Sequence, residues 1–289
     1  MHSPVRPPRC PVALVGLLLL LLVAVPPDAA AFSSGYENPA DLPDTLRDSL
    51  LDGDGAGIAV NEPMYFIMGR RGDTTARFQF SLRYRLLDEE STPARRFPML
   101  SQIYFAYTQT TLWNLSADQR PFEDSSYRPS VFWESARPLP GDRGLFWRVG
   151  LGHESNGRGG EASRGIDTVF VMPGYSFDLI DREMVLMPRL YTYLNRQEGN
   201  RDIADYRGHA DWIMRYGNDN SWVLQARYRQ GRQGRSSTQL DLSIPIRQRM
   251  MPRTGQYLYF QAFRGYGQTL LGYDQKEGFS FRVGLAVVR

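Results

Sequence analysis

Residues 77–86 alternate between two chemistries almost without error. Arg77, Gln79, Ser81, Arg83 and Arg85 fall on one side of an extended chain, and Phe78, Phe80, Leu82, Tyr84 and Leu86 on the other. Such a segment is stable where one face meets polar groups and the other an apolar medium. The same period returns in Trp222, Leu224, Ala226 and Tyr228 against Gln225, Arg227 and Arg229. It returns again in Leu240, Leu242, Ile244 and Ile246, and in Phe279, Phe281, Val283, Leu285 and Val287. Divided by Gly, Pro, Asn and Asp clusters, the chain from Glu62 onward yields twelve strands, near 62–70, 76–87, 100–112, 129–136, 143–155, 165–175, 184–195, 204–216, 221–231, 236–246, 255–265 and 278–288.

Two soluble sheets packed as a sandwich also alternate. Three features favour a membrane barrel: segments long enough to cross at about 9–11 residues, arginines recurring on the inward face, and signs of export. Arg6 and Arg9 precede an apolar run from Val12 to Val25, and Ala29, Ala30 and Ala31 offer a small-residue cleavage site. The run ends at Pro26 and Pro27, shorter than the about 20 residues of a retained membrane helix. The expected organisation is a signal peptide over 1–31, an N-terminal periplasmic arm over 32–61 and a barrel over 62–289, placed in a bacterial outer membrane. Arg289 ends the chain where such barrels often carry an aromatic.

Composition excludes some chemistry. Cys10, the only cysteine, precedes the apolar run, so a cleaved chain has neither disulfide nor thiol. A formal charge of +3 is too small to imply a nucleic-acid partner.

Within Leu145–Asp167, one face of a strand runs Leu145, Trp147, Val149, Leu151 and then His153 and Ser155. Alternate residues lie about 6.6 Å apart on the same side, so a base and a nucleophile converge there. At the rim of an apolar surface such a pair suits a lipid substrate. His153 and Glu154 also begin like a zinc-hydrolase helix motif, but no histidine follows four residues later, His2 lies in the signal and His209 is isolated.

His153-Glu154-Ser155-Asn156-Gly157-Arg158, followed by Ser163-Arg164, resembles the signature of the outer-membrane phospholipase A family. The resemblance extends over roughly 100–289 through Tyr107-Thr108-Gln109 with Trp113, Pro121-Phe122 with Tyr127 and Pro129, Asp202-Ile203 with Tyr206, and Gly265-Tyr266-Gly267 with Leu270 and Tyr273. It implies an all-β fold, a 12-stranded antiparallel transmembrane β-barrel, with a calcium-dependent serine–histidine site on its outer face, active as a homodimer on phospholipids and lysophospholipids. Carried over, Ser155 is the nucleophile and His153 the base. Asp167 stands where the best-known members have asparagine; an aspartate orients an imidazole equally well. Gly157 supplies the oxyanion amide, together with calcium. The calcium ligands map to the Arg158 carbonyl and the Ser163 hydroxyl, with a partner-subunit carbonyl near Gln119. A second, acidic contact maps to Gly160, which has no carboxylate; Glu161 beside it is either a substitute or a solvated loop acid.

On the strand near 100–112, Ile103, Phe105, Tyr107 and Thr111 share a face with Gln109, which puts an amide toward lipid and, by the resemblance, at a two-fold dimer interface. The expected activity is a calcium-dependent phospholipase A1/A2. Its rivals are a non-catalytic barrel passing anions through an arginine-lined lumen, which needs inward functional groups, and a soluble sandwich esterase.

Overall fold

The computed structural model describes residues 58–119, 122–135, 143–218, 221–246 and 256–288. The expected signal peptide, the arm as far as residue 57, and Arg289 lie outside them. The strands are β1 (Ile58–Val60), β2 (Met64–Arg71), β3 (Asp73–Arg85), β4 (Ile103–Asn114), β5 (Phe122–Glu134), β6 (Gly144–Ser155), β7 (Gly165–Leu179), β8 (Arg182–Leu186), β9 (Arg189–Arg196), β10 (Ala210–Gly217), β11 (Val223–Gln230), β12 (Ser236–Pro245), β13 (Tyr257–Tyr266) and β14 (Lys276–Val288).

Each strand pairs antiparallel with its neighbours, and β14 closes on β2. The fourteen segments make twelve staves. β1 and β2 both pair with β3 on either side of a break at Asn61–Pro63, so residues 58–60, expected in the arm, begin the first stave. β8 and β9 both pair with β7 and β10, interrupted at Met187 and Pro188; Pro188 has no N–H to give the ladder, while Met187 N still donates to Ile213 O at 2.9 Å. The chain is thus the expected closed 12-stranded barrel. No helix among the described residues is long and apolar enough to cross a membrane.

Several strand limits shift by a few residues, and two differ most from expectation. β5 starts at Phe122, because the turn-like run Glu123–Ser126 finds partners across the sheet: Ser125 Oγ meets Thr111 Oγ1 at 3.0 Å and Ser126 donates to Glu154. At the other site Ala204–Arg207 closes a helical turn, so β10 starts only at Ala210.

The outward face is apolar and uncovered, with Phe80, Leu145, Trp147, Leu151, Trp212 and Phe281 among its exposed side chains, the pattern of a lipid-facing wall. The interior is packed. Glu134 holds both Arg83 at 2.7 Å and Arg148 at 2.5 Å, Arg229 pairs with Asp211 at 2.8 Å, and Arg282 is fully buried with Thr75 and Ser280 as partners. Apolar layers fill the rest, including Phe132, Phe170, Met172 and Tyr191, and the stacked Tyr65 and Tyr259 at 4.9 Å. Charges removed from water persist because they are paired or, like Arg282, hydrogen-bonded, and side chains occupy the described interior.

One end of the barrel is capped by loops. Ile203 and Leu270, both fully buried, pack with Ile166 and Tyr273, and Asp124 Oδ2 accepts from Leu271 N at 2.7 Å. The Tyr273 hydroxyl donates to Asp202; burial, and then this contact, push the phenol above its usual range, so it remains a donor. The loop after β6 opens at this same end.

Candidate active site

The antiparallel register of β6 and β7 sets His153 directly across from Asp167 and Ser155 across from Gly165. A cross-strand pair brings side chains on one face into contact, and His153 Nδ1 lies 2.6 Å from Asp167 Oδ1. An ionised carboxylate at that distance accepts a hydrogen bond from Nδ1–H, which leaves Nε2 free as a base. Their side chains are 43% and 39% exposed, on the wall that carries Leu151 and Val149. Ser155 continues the His153 face. Among the described residues no hydrogen bond joins the Ser155 hydroxyl to His153; catalytic contacts of this kind often tighten only with substrate in place.

Asp167 has a second partner, Asn195, whose Nδ2 donates to Oδ2 at 3.1 Å. Between β7 and β9 the register shifts: Thr168 pairs with Tyr193 but Asp167 with Asn195. Leu194 is the extra residue of a β-bulge, which reverses the facing of the residues after it. Tyr193 packs on the interior cluster, so strict alternation would have turned Asn195 inward as well. A reading of alternation alone misses this residue.

Glu154, between His153 and Ser155, faces the interior. There it meets Arg207 at 2.9 Å and accepts from Ser126 at 2.8 Å. Burial raises its carboxyl's dependence on these partners, and they tie the strand bearing the site to the capping loops, because Arg207 also donates to Thr269 O at 3.3 Å. The inward turn removes Glu154 from any shared chemistry with His153.

The loop 156–164 is built around Asn156, 3% exposed. Its Oδ1 accepts from the backbone N–H of Arg158 and of Arg164, at 3.3 and 3.0 Å, and its Nδ2 donates to Ala162 O at 2.8 Å. Gly157 adopts φ +67°, and a Cβ there would lie 2.8 Å from the Tyr127 ring; both the dihedral and the space call for glycine. Asn156 stood in the signature motif, but only its three loop contacts reveal its work.

Of the expected calcium residues, Arg158 and Ser163 lie on this loop. The Arg158 guanidinium reaches back to Phe122 O and Glu123 O, at 3.2 and 2.5 Å. Ser163 Oγ donates to Gln197 Oε1 at 2.8 Å, which leaves the hydroxyl's lone pairs available. Gln119 is exposed in the loop between β4 and β5 and makes no hydrogen bond to either residue among those described. Gly160 (φ +60°) and exposed Glu161 form a single 3-10 turn, Gly160–Ala162. No cluster of three acidic, histidine or cysteine side chains suited to a metal exists among the described residues. Gln109 is half-buried on the outer face; its Oε1 accepts from Tyr107 at 3.0 Å, while Nε2 reaches Thr111 only at 3.5 Å.

Fold and site together define a class: a membrane β-barrel with a serine, a histidine and a carboxylate on its outer wall. The chain belongs to the phospholipase A1 family, whose model matches residues 62–287. It is 23% identical to a putative phospholipase A1 of Neisseria meningitidis, over 88% of this chain and 71% of that protein. Its fold is similar to that of outer membrane phospholipase A from Escherichia coli, with TM-score 0.67 and 22% identity over 80% of this chain and 98% of the other. It is also similar to a Salmonella typhi outer membrane phospholipase, a dimer with bound calcium, with TM-score 0.66 and 21% identity over 80% and 92% of the two chains.

Proposed function

We propose that this chain is a calcium-dependent phospholipase of the bacterial outer membrane, cleaving acyl esters of phospholipids and lysophospholipids through an acyl-enzyme. The observation that carries this reading is the His153–Asp167 contact of 2.6 Å on a lipid-facing wall, with Ser155 continuing the same face.

Ser155 Oγ attacks the acyl carbonyl carbon as His153 Nε2 takes its proton. Asp167 holds the imidazole by Nδ1 and stabilises the imidazolium. The Gly157 N–H, on a loop fixed by Asn156, donates to the oxyanion. Collapse breaks the ester C–O bond, and the lysolipid alkoxide leaves with the proton from His153. Water, deprotonated by the same base, then hydrolyses the acyl-serine and releases the fatty acid.

The Arg158 carbonyl and Ser163 hydroxyl are neutral oxygen donors of the kind calcium accepts, and the lone pairs that Ser163 Oγ keeps while donating to Gln197 fit that role. Two donors on one chain are few, which agrees with a further carbonyl, from near Gln119, supplied by a second copy of the chain. Bound there, calcium would stabilise negative charge on the reacting carbonyl. Gln109, with weakly satisfied N–H groups on an apolar face, suits the contact between copies. An N-terminal signal removed near Ala31 accounts for delivery to the membrane.

The pore alternative loses support from an interior filled by ion pairs and aromatic layers. The test is phospholipid hydrolysis in detergent, with calcium or chelator, by the parent and by Ser155→Ala. Calcium-dependent turnover that Ser155→Ala abolishes is expected, and equal rates in the two proteins would overturn the proposal.

A further inference from the structure

The orienting carboxylate is itself oriented, and we infer that Asn195 is a positioning residue that fixes Asp167 for its work on His153. This rests on the reading of Ser155, His153 and Asp167 as the hydrolytic set. One Asp167 oxygen faces His153 Nδ1 at 2.6 Å and the other receives Asn195 Nδ2 at 3.1 Å. With both oxygens held, the carboxylate plane cannot turn about its terminal torsion, which is otherwise broad. The imidazole is held in turn through Nδ1, which leaves Nε2 as the base.

Asn195 reaches this position through the bulge at Leu194. Leu194 is 62% exposed and contributes the residue that swings the next side chain outward. Bulges commonly re-aim a side chain beside a reactive site.

The contact also defines how positions 167 and 195 are coupled. Asp167 offers two acceptors, so Asn195 must present its amide nitrogen. An asparagine at 167 would keep one acceptor for His153 and turn a donor toward position 195, which then has to supply an oxygen. Asn195 does so by rotating its amide, and an aspartate would do so directly. Two carboxylates at these positions, by contrast, place like charges side by side.

The experiment measures kcat and KM on phospholipid in calcium-containing detergent micelles for the parent, Ser155→Ala, Asn195→Ala, Asn195→Asp and the double variant Asp167→Asn/Asn195→Asp. Folding is checked by heat-modifiable gel migration. Asn195→Ala is expected to lower kcat about tenfold, the worth of one hydrogen bond to a charged group, with KM unchanged within about twofold. Asn195→Asp should lower kcat further, and the double variant should return it to within about threefold of the parent. A lost packing contact would not be rescued by a second substitution on a neighbouring strand. Should Asn195→Ala not fold, the isosteric Asn195→Asp and its rescue carry the test. Parental kcat in the folded Asn195 variants, or a double variant no better than Asn195→Asp, overturns the inference alone. A parent without Ser155-dependent turnover overturns the functional reading and this inference with it.

Discussion

Glu154 sits between His153 and Ser155 in the chain yet points the opposite way, meeting Arg207 at 2.9 Å inside the barrel. The strand therefore carries His153 and Ser155 on the apolar wall and is anchored to the interior from its other side. Glu154→Gln keeps the shape and leaves Arg207 uncompensated. We expect a loss of about 3 kcal/mol in stability, the usual cost of stranding one member of a buried pair, measured by urea unfolding in detergent. Arg207→Met in the same chain should recover part of that loss.

Ser155 should be covalently modified by sulfonyl fluorides, since the tetrahedral sulfonyl group occupies the position of the oxyanion intermediate. Labelling is expected to need calcium and to disappear in Ser155→Ala, with mass spectrometry of the labelled peptide as the readout. Equal labelling of the alanine variant would exclude this serine as nucleophile.

Asp167→Asn should retain turnover within about threefold, because an asparagine still accepts from His153 Nδ1 and Asn195 can rotate to meet it. Asp167→Ala removes the acceptor and should cost at least about 1.4 kcal/mol of transition-state stabilisation, a tenfold loss in kcat/KM. An alanine variant as active as the parent would show the 2.6 Å contact to be structural only.

Gln109→Ala should shift the detergent-solubilised protein toward monomer and raise the calcium required for half-maximal activity. An amide on an apolar wall costs several kcal/mol without partners, and Tyr107 satisfies only its oxygen well. Sedimentation and calcium titration that both match the parent would leave this glutamine a purely local group.

The barrel was legible because period-two alternation is a local property: Arg77 to Leu86 states which way each side chain faces before any neighbour is known. The outward placement of His153 comes from the same count. What alternation could not supply were departures from it. The bulge at Leu194 turns Asn195 outward against its parity, and nothing in the local sequence marks the extra residue. The early start of β5 was hidden because Glu123–Ser126 reads as a turn until its partners on β4 and β6 are known. Likewise Asn156 showed its identity but not its three loop contacts, which depend on the return of the chain at Ala162 and Arg164.

A reactive group on the outside of a membrane wall meets its substrate by lateral diffusion. Among the described residues the interior carries Glu134, its two arginines and aromatic layers, so the proposed site is approached from the film around the wall and the effective substrate concentration is a number per unit area. Diluting the phospholipid with inert detergent at constant bulk concentration therefore slows the reaction, whereas diluting whole micelles with buffer leaves each bound enzyme's surface unchanged. Adding bulk lipid without altering the composition of the film does nothing for an enzyme already embedded in it.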